Sequence, residues 1–281
     1  MTLAEVLHAA QRRLRAAGID DAGLEAEVLL RHALGLDRSR LFASPQDEID
    51  DQRRREFDAL VARRLAREPA AYVTGHKEFY GLDLETTPDA LIPRPETELL
   101  VDEALRLAPA DEPFVIADVG TGCGAIAIAL AARLPKAVIY AIDASPAALA
   151  LAERNAGRLL PAGRIRFLSG DLLDPLPEPA GLIVANLPYV KTSDWQALPP
   201  EIRDHEPRSA LDAGPTGTEV IERLLREAPR HLKGNGVLLV EIGWDQGDRM
   251  REIAGRLLPG ARVEIKKDLA ALDRLLVIQA R

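Results

Sequence analysis

The stretch that most limits how this 281-residue chain can fold is Phe114-Val115-Ile116-Ala117-Asp118-Val119-Gly120-Thr121-Gly122-Cys123-Gly124. An apolar run ending in closely spaced glycines predicts a buried strand that turns sharply into a helix, here Ala125 to Leu134. Further apolar runs follow at Val138–Ile142, Ile165–Leu168, Gly181–Ala185 and Val237–Ile242, with helical patterns over 218–232 and 246–258. That alternation predicts an α/β fold with a parallel sheet covered on both faces. Two last runs close together, Arg262–Lys266 and Arg274–Gln279, predict an antiparallel edge on a mostly parallel seven-stranded sheet. Sheets of this kind bind ligands at the carboxyl ends of their strands, so the residues at those ends are the candidates for function.

Three strand ends carry a consistent chemistry. A GxGxG turn lets a ligand approach main chain closely, and by itself it also fits nicotinamide and flavin enzymes. About twenty residues on, Asp143 ends the next strand, where it can accept hydrogen bonds from ribose hydroxyls. The turn lacks the GxGxxG spacing that sets a pyrophosphate on a helix N-terminus. Asp118 would repel phosphate and suit an ammonium group. These features favour S-adenosyl-L-methionine, which has a ribose and an ammonium and no phosphate. Asp171 can accept from an adenine amino group, with Leu172 packing on the ring. Cys123, the single cysteine, has no His or other base near it in sequence and reads as a small space-filling residue.

The run Gly181–Ala185 stops at Asn186-Leu187-Pro188-Tyr189. An Asn side-chain oxygen and the carbonyl of residue 187 can each accept one N–H of a planar NH2 group, while an aromatic ring covers its face. The alternative is an ordinary strand end with a proline stop.

The remainder frames this core. Residues 1–70 predict a small helical bundle: a capping box at Thr2-Leu3-Ala4-Glu5, a helix capped by Asp21 that carries Leu24 and stops at Gly35, a short helix near Ser39–Phe42, and one over 50–67. Residues 71–90 predict short strands, including Ala71–Val73, in a hairpin linker. From 91 onward the main domain begins, and Pro93 and Pro95 stiffen a loop that presents Arg94. A net charge of -8 with no Lys/Arg block argues against direct nucleic-acid binding. No 18-residue apolar run and no cleavage-like N-terminus occur, so a cytoplasmic protein with no membrane contact is expected, and a monomer is the default. The five histidines lack ligand spacing, and no metal is expected.

Over essentially its whole length the chain resembles the bacterial peptide chain release factor N5-glutamine methyltransferases (PrmC/HemK family). The resemblance is carried by Gly75-His76-Lys77-Glu78-Phe79-Tyr80-Gly81-Leu82, Leu91 to Glu98, Asp118 to Gly124, Asn186 to Tyr189, and Glu206-Pro207-Arg208 with Ala210-Leu211. It implies a Rossmann-like S-adenosylmethionine-dependent methyltransferase domain preceded by a helical domain that holds the protein substrate. The implied reaction is methylation of the side-chain amide nitrogen of the glutamine in the GGQ motif of release factors. Asn186, Leu187, Pro188 and Tyr189 would be catalytic, and with Arg94 they would bind substrate. Asp118, Gly120, Thr121, Gly122, Cys123, Gly124, Asp143, Asp171, Leu172 and Asn186 would hold the cofactor. The family usually has NPPY, and NLPY is the form of rRNA adenine dimethyltransferases. A nucleic-acid adenine N6-methyltransferase is therefore the alternative, and a non-catalytic binding protein a second.

Overall fold

The computed structural model describes residues 1–280, which divide into two compact units: Met1–His76 with Pro199–His205, and Lys77–Leu198 with residues 206–280. In the first unit, helices Leu3–Ala16, Ala22–Leu34, Arg38–Ala43 and Asp51–Leu65 bury Leu14, Leu29, Leu30, Phe57 and Val61 among themselves. Thr2 and Glu5 close the capping box reciprocally, at 2.9 and 3.3 Å. Gly35, at φ +63°, ends the second helix in the left-handed conformation that lacks a Cβ penalty.

Three local expectations are corrected. Asp21 makes no side-chain cap, because its backbone is not extended and its carboxylate does not reach the first turn. Leu24 lies on the solvent side of its helix, 55% exposed. Ala71–Val73 belongs to a short helix, Ala70–Thr74, rather than a strand: the Tyr72 and Val73 N–H groups donate back to the Pro69 carbonyl, and Gly75 ends the turn at φ +76°. A buried cation completes this unit. The Arg64 guanidinium pairs with Glu25 and, at 3.0 Å, with Glu201 from the 199–205 segment, while Arg67 reaches Glu201 at 2.8 Å.

The second unit opens at Lys77, within β1 (His76–Phe79), which pairs with β2 (Leu82–Glu85) as a two-stranded sheet. The main strands follow: β3 (Phe114–Val119), β4 (Ala137–Asp143), β5 (Ile165–Ser169) and β6 (Ala180–Ala185). Two short strands, β7 (Val190–Lys191) and β8 (Asp212–Gly214), pair in parallel inside the loop after Tyr189; their brevity gave no apolar signal. β9 (Leu232–Glu241), β10 (Arg262–Lys267) and β11 (Asp273–Gln279) complete a sheet of order β10-β11-β9-β6-β3-β4-β5. The β3, β4, β5, β6 and β9 neighbours are parallel and the last two strands antiparallel, as the sequence predicts.

Every residue of β6 is buried, as a central strand covered on both faces requires, and burying Leu182, Ile183 or Val184 contributes roughly 1.5–3 kcal/mol each. One apolar cluster lies on either face. A helix absent from the expectations, Pro146–Leu159, covers one of them; Ser145 caps it by accepting from Ala148 N at 3.2 Å. No described helix is long and apolar enough to cross a membrane.

Candidate active site

The glycine turn joins β3 to helix Ala125–Arg133 with Gly120, Gly122 and Gly124 at φ +72°, +58° and +87°, a region side-chain-bearing residues avoid. Gly120 and Thr121 N–H both donate to the Ile142 carbonyl at 2.9 Å, which ties the turn to the end of β4. The Asp143 carboxylate accepts from Gly122 N at 2.8 Å and from Ser145 N at 2.9 Å, so its orientation is fixed by backbone on two sides.

Asp118 takes a different place from the one its strand-end position suggests. It is fully buried behind the turn, accepting from Thr121 Oγ1 at 2.6 Å and Ala127 N at 3.1 Å, and its Oδ1 has no hydrogen-bond partner. Burial pushes its carboxyl up to about 7, against the pull of those two hydrogen bonds. A raised acid binds its proton more tightly when folded, so the associated stability is present below about pH 4 and is lost as pH rises through 7. Asp118→Asn, which cannot ionise, is expected to gain on the wild type by up to about 4 kcal/mol across that window. Urea unfolding at pH 5 and pH 8 measures it, and parallel pH dependences would refute the assignment.

A cavity of about 400 Å³ opens at the carboxyl ends of β3, β4 and β6. That volume lies within the range of small-ligand pockets. Gly120, Thr121, Gly122, Cys123, Asp143, Asp171, Leu172, Asn186, Leu187, Pro188 and Arg94 all line it, together with Ala144 and Ser145. Asp118, Gly124 and Tyr189 do not. Asp171 lines the cavity while its carboxylate, about half exposed, pairs with Arg223. The Cys123 thiol is buried and pushed up to about 12 by that burial, which leaves it an inert filler.

The NLPY segment is held by residues from three other elements. Asn186 Nδ2 donates to Thr97 Oγ1 at 3.0 Å, and Thr97 Oγ1 donates to Glu241 Oε2 at 2.6 Å. Tyr189 OH approaches Glu241 Oε1 at 3.4 Å. Burial, and then the charge of Glu241, push the Tyr189 phenol up to about 12, so it stays a hydroxyl. Burial also raises the Glu241 carboxyl, opposed by the Thr97 hydrogen bond and by Arg274. The buried Gln246 side chain donates to the carbonyls of Tyr189 and Gly217, both at 3.0 Å. Leu187 is buried over Gly120: a Cβ added there would stand 2.8 Å from Leu187 Cδ2. The leucine thus gains packing against the turn where the usual proline would supply ring stiffness.

Arg94 faces the cavity with its guanidinium paired to the buried Glu206, whose other oxygen accepts from Ile92 N at 3.1 Å. The two motif segments around Pro93–Pro95 and Glu206–Pro207 are therefore one clamp. Thr97, Glu206, Glu241 and Gln246 received no role from sequence reasoning. Glu241 had a usable signal, being an acidic residue that closes an apolar strand as Asp118 and Asp143 do; Gln246 had none.

Comparison with known proteins agrees with this geometry. Residues 5–75 match the PrmC N-terminal domain model and residues 116–205 a methyltransferase domain model. The chain is 42% identical over 285 residues to the release factor glutamine methyltransferase of Moorella thermoacetica, covering 100% of this chain and 99% of that one. The chain belongs to the release factor glutamine methyltransferase family. The enzyme of the same name from Geobacter sulfurreducens is also 42% identical, over 248 residues, 88% of this chain and 86% of its own. Among solved structures, a Pyrococcus furiosus methyltransferase superposes with a TM-score of 0.53 at 19% identity, covering 78% of this methyltransferase and 96% of that chain, a likeness of fold.

Proposed function

We propose that this enzyme transfers a methyl group from S-adenosyl-L-methionine to the side-chain amide N5 of the glutamine in the GGQ motif of peptide chain release factors, modulating translation termination in the cytoplasm. The observation that carries the reading is the orientation of Asn186. With Nδ2 given to Thr97, its Oδ1 remains as the acceptor end of a residue that lines the cavity, as Leu187 also does.

The residues suit the cofactor. Gly120 and Gly122 allow close approach to main chain, Asp143 has lone pairs left for ribose hydroxyls, and Leu172 lines the wall where an adenine would pack. When bound, the cofactor supplies an electrophilic methyl group. Asn186 Oδ1 and the Leu187 carbonyl would accept the two N–H groups of the glutamine amide. An amide nitrogen is a poor nucleophile because its lone pair is delocalised, so holding it in one orientation is the main contribution available to these residues. Pro188 would frame the amide, Tyr189 would brace the segment from outside the cavity through Glu241, and Arg94, paired with Glu206, would form part of the wall.

The alternative, methylation of an adenine in nucleic acid, needs a basic surface to gather phosphates, and a chain of net charge -8 argues against it. The deciding experiment is methyl transfer from labelled cofactor to a purified release factor, beside the same factor with its GGQ glutamine changed to alanine, with rRNA and DNA as competing acceptors. Label on the unmodified factor alone is the expected result. Label on nucleic acid would overturn the proposal.

A further inference from the structure

We infer that Thr97 and Glu241 are positioning residues for methyl transfer, acting through Asn186 to keep its amide oxygen turned toward the substrate. The inference rests on the proposed role of the NLPY segment and extends it to two residues that act through Asn186: Thr97, which lines the cavity beside it, and Glu241, which does not line the cavity.

An asparagine amide has two nearly isosteric ends with opposite chemistry, one accepting and one donating. Only the accepting end can hold a substrate NH2 group; a flipped Asn186 would present its own NH2 to it. Something must therefore fix the rotamer. Thr97 is buried, and its single hydroxyl hydrogen goes to Glu241 Oε2 at 2.6 Å. What remains on Thr97 Oγ1 is lone pairs, so it can only accept, and the group it accepts from is Asn186 Nδ2 at 3.0 Å. In its ionised form, which the Thr97 hydrogen bond and Arg274 favour against the raising effect of burial, Glu241 sets the direction of the chain of bonds, because a carboxylate is an acceptor only. Its second oxygen faces the Tyr189 hydroxyl, so one buried side chain at the end of β9 orients two residues of the segment that follows β6.

A neutral group in place of Glu241 would free the Thr97 hydrogen. Thr97 could then donate to Asn186 Oδ1, and the amide would turn round. This is the physical reason for an acid at a buried position with no charged contact to substrate.

The test uses the full chain with a purified release factor and labelled cofactor. Thr97→Val keeps the shape and removes the hydroxyl. It is expected to lower kcat by about tenfold or more, with cofactor Kd by calorimetry changed less than about twofold and KM for the release factor less than about threefold. Thr97→Ser, which keeps the hydroxyl, is expected to restore kcat to within about threefold. In an Asn186→Ala background, Thr97→Val should change the single-turnover rate by less than about twofold, since the group it acts through is gone.

Near-normal kcat in Thr97→Val, equal losses in the valine and serine variants, or an additive loss in the double variant each overturn the inference. If circular dichroism shows that Thr97→Val does not fold, Glu241→Leu stands in with the same kcat and Kd expectations and the same overturning results. Near-normal turnover of Asn186→Ala alone would instead refute the NLPY reading. A dead Asn186→Ala beside a normal Thr97→Val leaves that reading intact and removes only the positioning role.

Discussion

Replacing Asn186 with alanine is expected to reduce kcat for methyl transfer by about 10²–10³ while leaving cofactor affinity within a few-fold of wild type. The magnitude follows from the number of contacts at stake. Asn186 Oδ1 supplies one of two proposed acceptors for the substrate amide, and losing one pre-oriented polar contact to a reacting group typically costs this much. Cofactor binding should survive because Asp143, Gly120 and Gly122 are organised independently, by bonds to the end of β4 and to Ser145. The contrast between kcat and Kd is therefore the informative readout: turnover measured under saturating release factor, affinity by calorimetry. A parallel loss of both would mean that alanine had collapsed the cavity, and near-normal kcat would remove Asn186 from the mechanism.

Arg64→Met is expected to destabilise the helical unit by about 3 kcal/mol, at the low end of what breaking a buried ion pair costs. Arg64 is 3% exposed and engages both Glu25 and Glu201, so its loss strands two carboxylates. Those carboxylates keep about a fifth of their side-chain surface in water, and Glu201 retains Arg67, which is why the low end applies. Methionine preserves the aliphatic volume, so the loss reports charge rather than a cavity. Adding Glu25→Gln and Glu201→Gln to Arg64→Met should recover most of the stability, because a buried pair as a whole is worth little against neutral groups. Urea midpoints of the full chain would show both effects; a further loss in the triple variant would contradict the account.

The two expectations live on different links of the same chain. Asn186 acts on chemistry through one hydrogen bond, whereas Arg64 acts on the fold through partners 39 and 137 residues away in sequence.

What the sequence determined by itself is what short-range physics governs. The apolar run and positive-φ glycines from Phe114 to Gly124 dictate strand, turn and helix, because only glycine accepts those backbone angles without strain. Thr2 and Glu5 are three residues apart, so their capping box is legible, and so are the antiparallel edge of β10 and β11 and the stop at Gly35. The NLPY segment could be proposed as a chemical site from sequence because all its parts are contiguous. Where local rules competed, as at Ala71–Val73, a proline carbonyl within hydrogen-bonding reach prevailed over strand propensity.

The tertiary structure alone decided which distant side chains meet. Thr97 reaches Glu241 across 144 residues and Asn186 across 89, and Arg94 reaches Glu206 across 112. β6 lies between β3 and β9, so the ends of these strands open at one edge, and nothing in a local pattern states that order. The same reason explains the two aspartates. Asp118 and Asp143 both close apolar strands, yet burial put the first behind the glycine turn and left the second facing the cavity. A carboxylate's role depends on what surrounds it in space, and desolvation and hydrogen-bond partners are set by packing rather than by neighbours in the chain.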